Sequence, residues 1–389
     1  MRILMAMHSL AMGGAEKFFV NLANALHQRH EVTCYIPALA CGHLSMINRL
    51  GTVPTVSIPG FTPFGYKAFY KLVLIAQKRF PHFNPESTLH SRVLRSLHRR
   101  KHFDIVNAQL MEGTRQVCTA FKDIPLPITE SDHGDFAMVN PAAPLHNTII
   151  FQRLDALICP AQSNIEKSRL YPWQDKLRIA SIPYGYLPSK PSPSPPSPAP
   201  DVFTFGMVAR GIREKGWLEA LAAFRLIKTQ LSMPARLVFV GDGPCLDQIK
   251  HQLTDSDHPS VLLVGPQNDP ESWIRTFDVG LLPTFMPGES LPNSIIEYLA
   301  CGKPVIATRF AGIPEMLATP EGDAGILTSL TPDGVADTPS LAAAMLQLAS
   351  DPTLLRTFAS RTSLAFSKFS MPACVASYES LFQELIDRP

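Results

Sequence analysis

The sequence predicts an α/β protein built from two doubly wound parallel sheets, one in each half of the chain. In both halves, short apolar runs rich in β-branched residues alternate with longer segments of helical periodicity. This alternation is typical of parallel sheets covered by helices on both faces. A proline-rich segment, residues 188–201, interrupts the pattern and indicates a semi-extended linker. With 389 residues, the chain is long enough for two domains that each bury a core.

The predicted elements follow one another regularly. In the first half, seven apolar runs have the length of strands: residues 3–7, 32–36, 55–58, 105–108, 128–130, 156–159 and 179–182. Helical spacing between them is clearest in residues 16–28, 67–78, 88–100 and 113–121. The second half has six such runs: residues 203–208, 237–240, 261–264, 279–282, 305–307 and 325–327. The chain ends in three helical segments: residues 340–349, 354–365 and 372–386. Functional groups are expected in the loops after the strands.

The strongest functional signal lies between the predicted strands 279–282 and 305–307. Pro292 suits the first turn of a helix there, and Gly302 suits its end. The start of such a helix offers free N–H groups and a partial positive charge, which favour an anion such as phosphate. Two carboxylates, Glu289 and Glu297, flank this start. Carboxylates accept hydrogen bonds from hydroxyl groups, and hydroxyl groups on both sides of a diphosphate describe a nucleotide sugar.

The frame of these glutamates is Gly-Glu-Ser-Leu-Pro-Asn-x3-Glu-x4-Gly-x-Pro-Val, and it resembles the signature of the retaining glycosyltransferases of family four, among the group 1 glycosyl transferases. The resemblance implies the GT-B fold, in which two Rossmann-like doubly wound domains face a central cleft. It implies transfer of a sugar from a nucleotide-diphosphate sugar, with UDP favoured and GDP as the alternative, to a glycan or lipid-linked acceptor. The expected setting is cytoplasmic synthesis of cell-envelope polysaccharide, lipopolysaccharide or glycolipid.

The resemblance also implies a division of the chain. Residues 1–187 are expected to form the acceptor-side domain, residues 188–201 the linker, and residues 202–370 the domain that binds the nucleotide sugar. Residues 371–389 are expected to form a helix that crosses back to the first domain. Two other interpretations stay open. One is an epimerase or glycosyl phosphorylase on the same fold, and the other is a non-catalytic binding protein that retains the fold.

Two cations follow the first strand of the second half. Arg210 and Lys215 lie at the carboxyl end of that strand, where arginine can bind phosphate through two N–H groups and lysine can bind it as a point charge. They match the Arg-x4-Lys-Gly element of the family, which implies that they stabilise the departing diphosphate. A solvated charged loop is the alternative. Arg213 has no counterpart in the family pattern and is interpreted as a surface residue.

The resemblance assigns roles to the other candidate residues. Glu289 is expected to orient the donor sugar as a catalytic residue, and Glu297 to contact the ribose. His133 follows a predicted strand and matches a family histidine near the donor sugar, although a histidine in such a place is more often structural. The donor-binding backbone is expected at three further loops and helix starts: Gly14, Gly243, Ser290 and Leu291. Gly14 and Gly243 could equally belong to simple turns.

No cofactor or metal is expected. The GT-B enzymes resemble one another in needing no metal, and Asp132 with Asp135 is too small a set of ligands to bind one. The dinucleotide pattern Gly-x-Gly-x-x-Gly is absent, which argues against a dehydrogenase. Seven scattered cysteines without a Cys-x-x-Cys pair are typical of reduced thiols in a cytoplasmic protein. No apolar run has the length of a membrane span, and the N-terminus does not resemble a signal peptide.

The formal net charge of +2 hides an uneven distribution. Residues 1–187 contain 20 basic and 12 acidic residues, whereas residues 188–389 contain 15 basic and 21 acidic residues. Residues 61–103 contain nine bases and one acid, with aromatic residues among them. This stretch predicts either two surface helices or a face for the anionic inner surface of the cytoplasmic membrane. Nucleic acid is not expected as a partner, because no binding motif is present.

One position departs from the family pattern. The family usually has asparagine where this chain has Tyr184, at the end of the last predicted strand of the first half. The proline-rich linker follows directly, so the hinge is not expected to have the usual geometry. No side chain is predicted as a catalytic base, because in the family the leaving phosphate takes the acceptor proton on the same face of the sugar.

Overall fold

The computed structural model describes residues 1–11, 13–59, 62, 64, 65, 68, 71, 75, 85–134, 150, 152–169, 177–188, 202–258 and 260–388. The chain divides into two compact units. The first unit comprises Met1–Tyr186 with Ser370–Pro389, and the second comprises Leu187–Phe369. The helix predicted at residues 67–78 and the linker predicted at residues 188–201 lie almost entirely outside the described residues.

The first unit contains a parallel sheet of seven strands. These are β1 (Arg2–Ala6), β2 (Glu31–Tyr35), β3 (Thr55–Val56), β4 (Ile105–Gln109), β5 (Ile128–Ser131), β6 (Ala156–Cys159) and β7 (Arg178–Ser181). Their order is β3-β2-β1-β4-β5-β6-β7, so the chain reverses its direction of winding between β1 and β4. Ligands of doubly wound sheets bind at the carboxyl ends of the strands beside such a reversal.

Helices cover both faces of this sheet. Those described between the strands are α1 (Gly14–His27), α2 (Leu44–Arg49), α3 (Pro85–Lys101), α4 (Met111–Ala120) and α5 (Gln162–Ser168). Every residue of β4, β5 and β6 is buried, as expected for central parallel strands. Several of these buried residues are polar and lie toward the carboxyl ends of β4 and β5: Asn107, Gln109, Thr129, Glu130 and Ser131.

The second unit contains a parallel sheet of six strands. These are β8 (Phe203–Val208), β9 (Ala235–Val240), β10 (Val261–Gly265), β11 (Val279–Leu282), β12 (Val305–Thr308) and β13 (Gly325–Thr328). Their order is β10-β9-β8-β11-β12-β13, with the reversal between β8 and β11. The helices of this unit are α6 (Trp217–Ile227), α7 (Pro244–Gln252), α8 (Pro270–Ile274), α9 (Asn293–Ala300), α10 (Ile313–Leu317), α11 (Thr338–Ser350) and α12 (Pro352–Phe366). The two sheets confirm the predicted α/β class.

The last helix of the chain, α13 (Met371–Ile386), belongs to the first unit. Its Tyr378 hydroxyl lies 2.8 Å from Ser131 Oγ at the end of β5. Its Glu379 carboxylate lies 2.7 Å from His30 Nε2, just after α1. Tyr378 and Phe382 are buried, so this helix completes the core of the first unit. No helix in the described parts of either unit combines the length and the apolar character that crossing a membrane requires.

One tyrosine fixes α9 on the sheet of the second unit. The buried Tyr298 hydroxyl accepts a hydrogen bond from Val208 N at 2.7 Å and donates one to Leu281 O at 3.2 Å. Its ring fills the space above Gly280, where an added Cβ would lie only 2.4 Å from a ring carbon. The hydroxyl therefore joins α9 to β8 and β11, the two strands at the reversal, and holds the first turn of α9 beside their carboxyl ends.

We expect Tyr298→Phe to lower the free energy of unfolding by about 1–3 kcal/mol, because the Val208 N–H would lose its acceptor in a partly buried place. Urea denaturation of the full chain at pH 7 would measure the difference. A loss of less than about 0.5 kcal/mol, the range of ordinary surface substitutions, would show that this hydroxyl does not anchor α9.

Candidate active site

The centre of the candidate site is an ion pair in the second unit. Lys215 ends a short 3-10 turn after β8, and its Nζ lies 2.5 Å from Glu289 Oε2 in the loop before α9. The two side chains are only 11% and 8% exposed. A buried pair of this kind is strongly destabilised when one partner is removed, because the other charge is left uncompensated. Lys215 and Glu289, which the sequence predicts as two separate site residues, therefore form a single buried ion pair.

A threonine that the sequence analysis missed is the second partner of Glu289. Thr284 Oγ1 donates to Glu289 Oε2 at 2.9 Å. The Thr284 carbonyl in turn accepts from Thr308 Oγ1 at the end of β12. Thr284 follows β11 by two residues, so its position in a loop after a parallel strand was the signal that could have identified it.

The two loops that carry this pair are bonded along their backbones. Phe285 N donates to Glu214 O at 2.8 Å. Gly216, at φ +81°, lets the Pro283 carbonyl approach so closely that an added Cβ would lie 2.1 Å from its oxygen. A side chain at this position would be strained in its backbone and would collide with the neighbouring loop. This explains why glycine follows Lys215.

The predicted cation Arg210 lies beside the same loop. Its side chain is exposed, and Nη2 is 3.6 Å from Met286 Sδ, three residues before Glu289. Arg213, interpreted from sequence as a surface residue, is 46% exposed. It nevertheless pairs with Glu219 at 2.6 Å and lies 5.0 Å from the centre of the Phe285 ring. Arg213 therefore also braces the loop that follows β11.

Gly243 lies where the loop after β9 is bonded to the loop after β8. Gly211 N donates to Asp242 O, and Cys245 N donates to Gly211 O, both at 2.7 Å. At Gly243, which has φ +143°, an added Cβ would lie 2.6 Å from Gly211 O. Gly243 also precedes the first residue of α7. The close approach of two backbones explains the need for glycine.

The side chains of the residues just before α9 are buried, so this segment can offer its backbone groups to a ligand. Ser290 and Leu291 are buried, with 4% and 5% of their surface exposed. The carbonyl of Ser290 accepts from Gly312 N at 3.2 Å, which fixes this loop before α10. Backbone N–H groups are consequently the natural donors that this segment offers to an anion. Glu297 lies in the second turn of α9 and is 5% exposed.

His133 and Gly14 belong to the first unit. His133 Nδ1 lies 2.8 Å from the Tyr184 hydroxyl, and Nε2 lies 3.0 Å from Gln109 Oε1. Burial lowers the pKa of His133 to about 3, so its ring is neutral near pH 7. Gly14 is the exposed first residue of α1. The contact between His133 and Tyr184 joins two residues 51 positions apart and could not be foreseen from the sequence.

A second polar cluster in the first unit was also missed. The buried Tyr35 hydroxyl lies 2.6 Å from His90 Nδ1, and His90 Nε2 lies 3.5 Å from Glu86 Oε1. His8, after β1, lies 2.9 Å from Gln116 Nε2, and burial is the main cause that lowers its pKa. His8 could have been noticed from its place directly after β1, whereas Glu86 and His90 lie 30 or more residues after β3 and carry no such signal.

The described residues show no group of three or more His, Cys, Asp or Glu side chains that could hold a metal ion. Asp135 lies outside the described residues. The Asp132 carboxylate accepts hydrogen bonds from Gly134 N at 2.8 Å and from Asn164 Nδ2 at 2.6 Å. Asp132 therefore already helps to fix its own loop.

A basic groove runs along α3 on the surface of the first unit. Its volume is about 610 Å³, and nine described residues line it: Ser87, Thr88, Ser91, Arg92, Arg95, Arg99, Thr119, Lys122 and Ile124. Four of these residues are cations and none is an acid. Asp123 lies beside the groove and pairs with Arg95 at 3.2 Å. Only part of the basic stretch predicted at residues 61–103 can be located, because most of residues 60–84 lie outside the described part.

Comparison with known proteins finds relatives among the glycosyltransferases. A family model described as "Glycosyl transferases group 1" matches residues 199–351, within the second unit. The lipopolysaccharide core biosynthesis glycosyltransferase LpsD of Rhizobium meliloti is 26% identical over 383 residues, which is 97% of this chain and 97% of LpsD. The N-acetyl-alpha-D-glucosaminyl L-malate synthase of Bacillus anthracis is 32% identical over 43% of this chain and 42% of the synthase. This chain thus spans less than half of that relative, and it spans 16% and 33% of two others.

Solved structures extend the comparison to the whole fold. Anabaena Alr3699/HepE, crystallised with UDP, superposes with a TM-score of 0.73 at 16% identity, over 99% of this chain and 100% of HepE. A sucrose-phosphate synthase from Thermosynechococcus elongatus gives 0.71 at 16% identity, over 98% of both chains. The predicted GT-B fold is confirmed. The second unit thus matches the family model of the group 1 glycosyl transferases, and the chain as a whole shares its fold with these solved structures.

Proposed function

We propose that this protein transfers a sugar from a UDP-sugar to a glycan or lipid-linked acceptor, in the synthesis of cell-envelope polysaccharide or lipopolysaccharide. The observation that carries the proposal is the buried Lys215–Glu289 pair beside the start of α9. The name of LpsD and the UDP bound to HepE support the choice of pathway and of nucleotide. The complex of HepE with UDP-glucose supports a donor in which the sugar is attached to UDP.

In the proposed donor site, cations and backbone N–H groups bind the diphosphate, and carboxylates bind the hydroxyl groups of the sugar and the ribose. Lys215 carries three N–H donors, so its contact with Glu289 leaves it able to bind a phosphate oxygen as well. The exposed guanidinium of Arg210 can bind the same diphosphate. Glu289 accepts hydrogen bonds, so it suits the hydroxyl groups of the sugar, and Glu297 is assigned to those of the ribose. Backbone N–H groups at Ser290 and Leu291 complete the diphosphate site, and Gly243 leaves room for the nucleotide.

We propose that transfer proceeds with retention of configuration at the anomeric carbon. The bond from that carbon to the phosphate oxygen breaks, and a bond to the acceptor oxygen forms on the same face of the sugar. The acceptor proton passes to the departing phosphate oxygen, so no side chain is required as a base. Arg210 and Lys215 act by stabilising the negative charge that develops on the leaving group. His133 is assigned a role toward the donor sugar, and Gly14 is assigned to donor binding.

We expect Arg210→Ala and Lys215→Ala each to lower kcat by about 10²-fold or more, the effect of removing one group that stabilises charge in the transition state. Radiolabelled transfer from a panel of UDP-sugars would measure it. Arg210 gives the cleaner test, since its side chain is exposed. Removing Lys215 also leaves the Glu289 carboxylate buried, so its variant needs a circular-dichroism check of folding.

The matched control is Lys250→Ala. Lys250 is a half-exposed cation of the same unit, paired with Asp247, and its removal changes the net charge equally. Its kcat should stay within a factor of two of the native value. Native kcat in Arg210→Ala together with native kcat in a folded Lys215→Ala would remove both residues from the proposed site.

We propose that the diphosphate charge is met by protein groups without a metal ion. Activity should then persist in an excess of EDTA, because the positive charge comes from Arg210, Lys215 and the first turn of α9. The measurement is the initial transfer rate with and without the chelator. Complete loss of transfer that Mg²⁺ or Mn²⁺ restores would instead assign the charge to a bound metal.

We also propose that the first unit docks on an anionic membrane surface, where a lipid-linked acceptor would be found. The support is the groove along α3, which has four cations and no acid among its described lining residues. Two large apolar side chains of the same basic stretch are exposed, Phe64 to 86% and Ile75 to 57%. A basic stretch of chain that also exposes apolar side chains suits the interface of an anionic bilayer.

The native chain should co-sediment with vesicles that contain phosphatidylglycerol and should stay in the supernatant with phosphatidylcholine vesicles. Arg92→Ser/Arg99→Ser should weaken this partition roughly 30-fold, at about 1 kcal/mol for each cation. Lys250→Ser/Arg356→Ser, which removes the same charge from the second unit, is the control and should partition like the native chain. If the native chain stays in the supernatant with both kinds of vesicle, the groove is only a solvated face.

A further inference from the structure

The place where this chain departs from its family lies directly against His133. The Tyr184 ring stacks on the imidazole with centroids 5.3 Å apart and planes 24° apart. Phe18 of α1 meets both rings, with its centroid 5.9 Å from that of His133 and 4.9 Å from that of Tyr184. The three ring centroids therefore form a triangle, in which the imidazole packs against both aromatic rings and is oriented by hydrogen bonds at its two nitrogens.

The hydrogen-bond network determines which nitrogen carries the proton. Asn107 Nδ2 directs its N–H groups to Thr129 Oγ1 at 3.0 Å and to Ser131 Oγ at 3.1 Å. Its Oδ1 is consequently an acceptor, and it receives Gln109 Nε2 at 3.3 Å. The Gln109 amide then turns Oε1 toward His133. An amide oxygen only accepts, so His133 Nε2 must carry the hydrogen.

The role of the other ring nitrogen, Nδ1, follows from the same network of hydrogen bonds. In a neutral imidazole with hydrogen on Nε2, Nδ1 is an acceptor. The Tyr184 hydroxyl, 2.8 Å away, is the donor that this acceptor requires. The same hydroxyl lies 3.4 Å from Asp132 O, a longer and weaker alternative. The Asp132 carboxylate is directed instead at Gly134 and Asn164.

We propose that Tyr184 is a positioning residue that holds the His133 ring in one orientation and in its Nε2–H tautomer. The proposal rests on the proposed function only in assigning His133 to the donor sugar. With both nitrogens engaged by Tyr184 and Gln109, His133 acts as a fixed neutral group and does not transfer a proton. An asparagine side chain is shorter than that of tyrosine by most of an aromatic ring, so we expect an asparagine at position 184 not to make this contact with Nδ1.

The direct test is nitrogen NMR of the full chain labelled with ¹⁵N-histidine, with the His133 signals assigned by their loss in His133→Gln. We expect one protonated Nε2 and one unprotonated, hydrogen-bonded Nδ1 in the native chain. In Tyr184→Phe the donor to Nδ1 is gone, and the two nitrogen signals should move toward each other as tautomers and ring orientations exchange. Tyr184→Asn should behave in the same way.

The matched control is Tyr186→Phe, which removes a hydroxyl from another buried tyrosine two residues away. That hydroxyl contacts Lys17 Nζ at 3.4 Å, so its removal should leave the His133 signals unchanged. In transfer assays, Tyr184→Phe should lower kcat about three- to tenfold, the effect of one lost hydrogen bond, with KM for the donor within twofold. A merely structural role would lower the folded fraction and leave the His133 signals of the folded protein in place.

Two results would overturn the proposal: hydrogen on Nδ1 in the native chain, or native His133 signals in Tyr184→Phe. Either can occur while the native chain transfers sugar, and then the proposed function stands without this role for Tyr184. If no donor in the panel gives transfer, the proposed function fails, and the NMR signals still decide whether Tyr184 fixes the tautomer.

Discussion

The buried contact between Lys215 and Glu289 is the constraint on which the candidate site of the second unit depends. An ammonium and a carboxylate can be buried together only when their geometry and hydrogen bonds offset the loss of water. Thr284 supplies one of those hydrogen bonds, and Thr308 fixes the backbone of Thr284. The close packing at Gly216 keeps the two loops at the distance that the pair requires. Backbone geometry, not only side-chain chemistry, therefore defines the site.

In the proposed function, burial gives this pair a chemical use beyond stability. A charge in a site that excludes water interacts more strongly with a ligand than the same charge in solvent. Lys215 is held ready by Glu289 and needs little reorganisation when a second anion arrives. Arg210 differs because it is exposed and contacts only a thioether among its described hydrogen-bond partners. The site thus combines one fixed cation with one that remains adjustable.

The strands could be predicted to within about two residues because buried parallel strands are short apolar runs that end at glycine, proline or polar residues. Helix starts were less accurate. The helix predicted from residue 88 begins at Pro85, since a polar first turn carries no periodic signal. Glu289 and Lys215 were recognised from their motifs, but their pairing was not, because chain order does not reveal contacts between residues 74 positions apart. For the same reason Tyr184 was noted only as a departure, and its bond to His133 emerged from the fold.

The first unit is assembled from two separate parts of the chain. The ribosome completes β7 and then all of Leu187–Phe369 before α13 emerges. Until that moment Ser131 lacks the Tyr378 hydroxyl, and the apolar side of α1 lacks the helix that buries it. The second unit is formed by one continuous segment and can finish folding before the first unit is complete. The order in which the two units fold can therefore differ from the order in which they are synthesised. A fragment that ends at Tyr186 would consequently be an incomplete domain with exposed core surface, prone to aggregate or to require a chaperone.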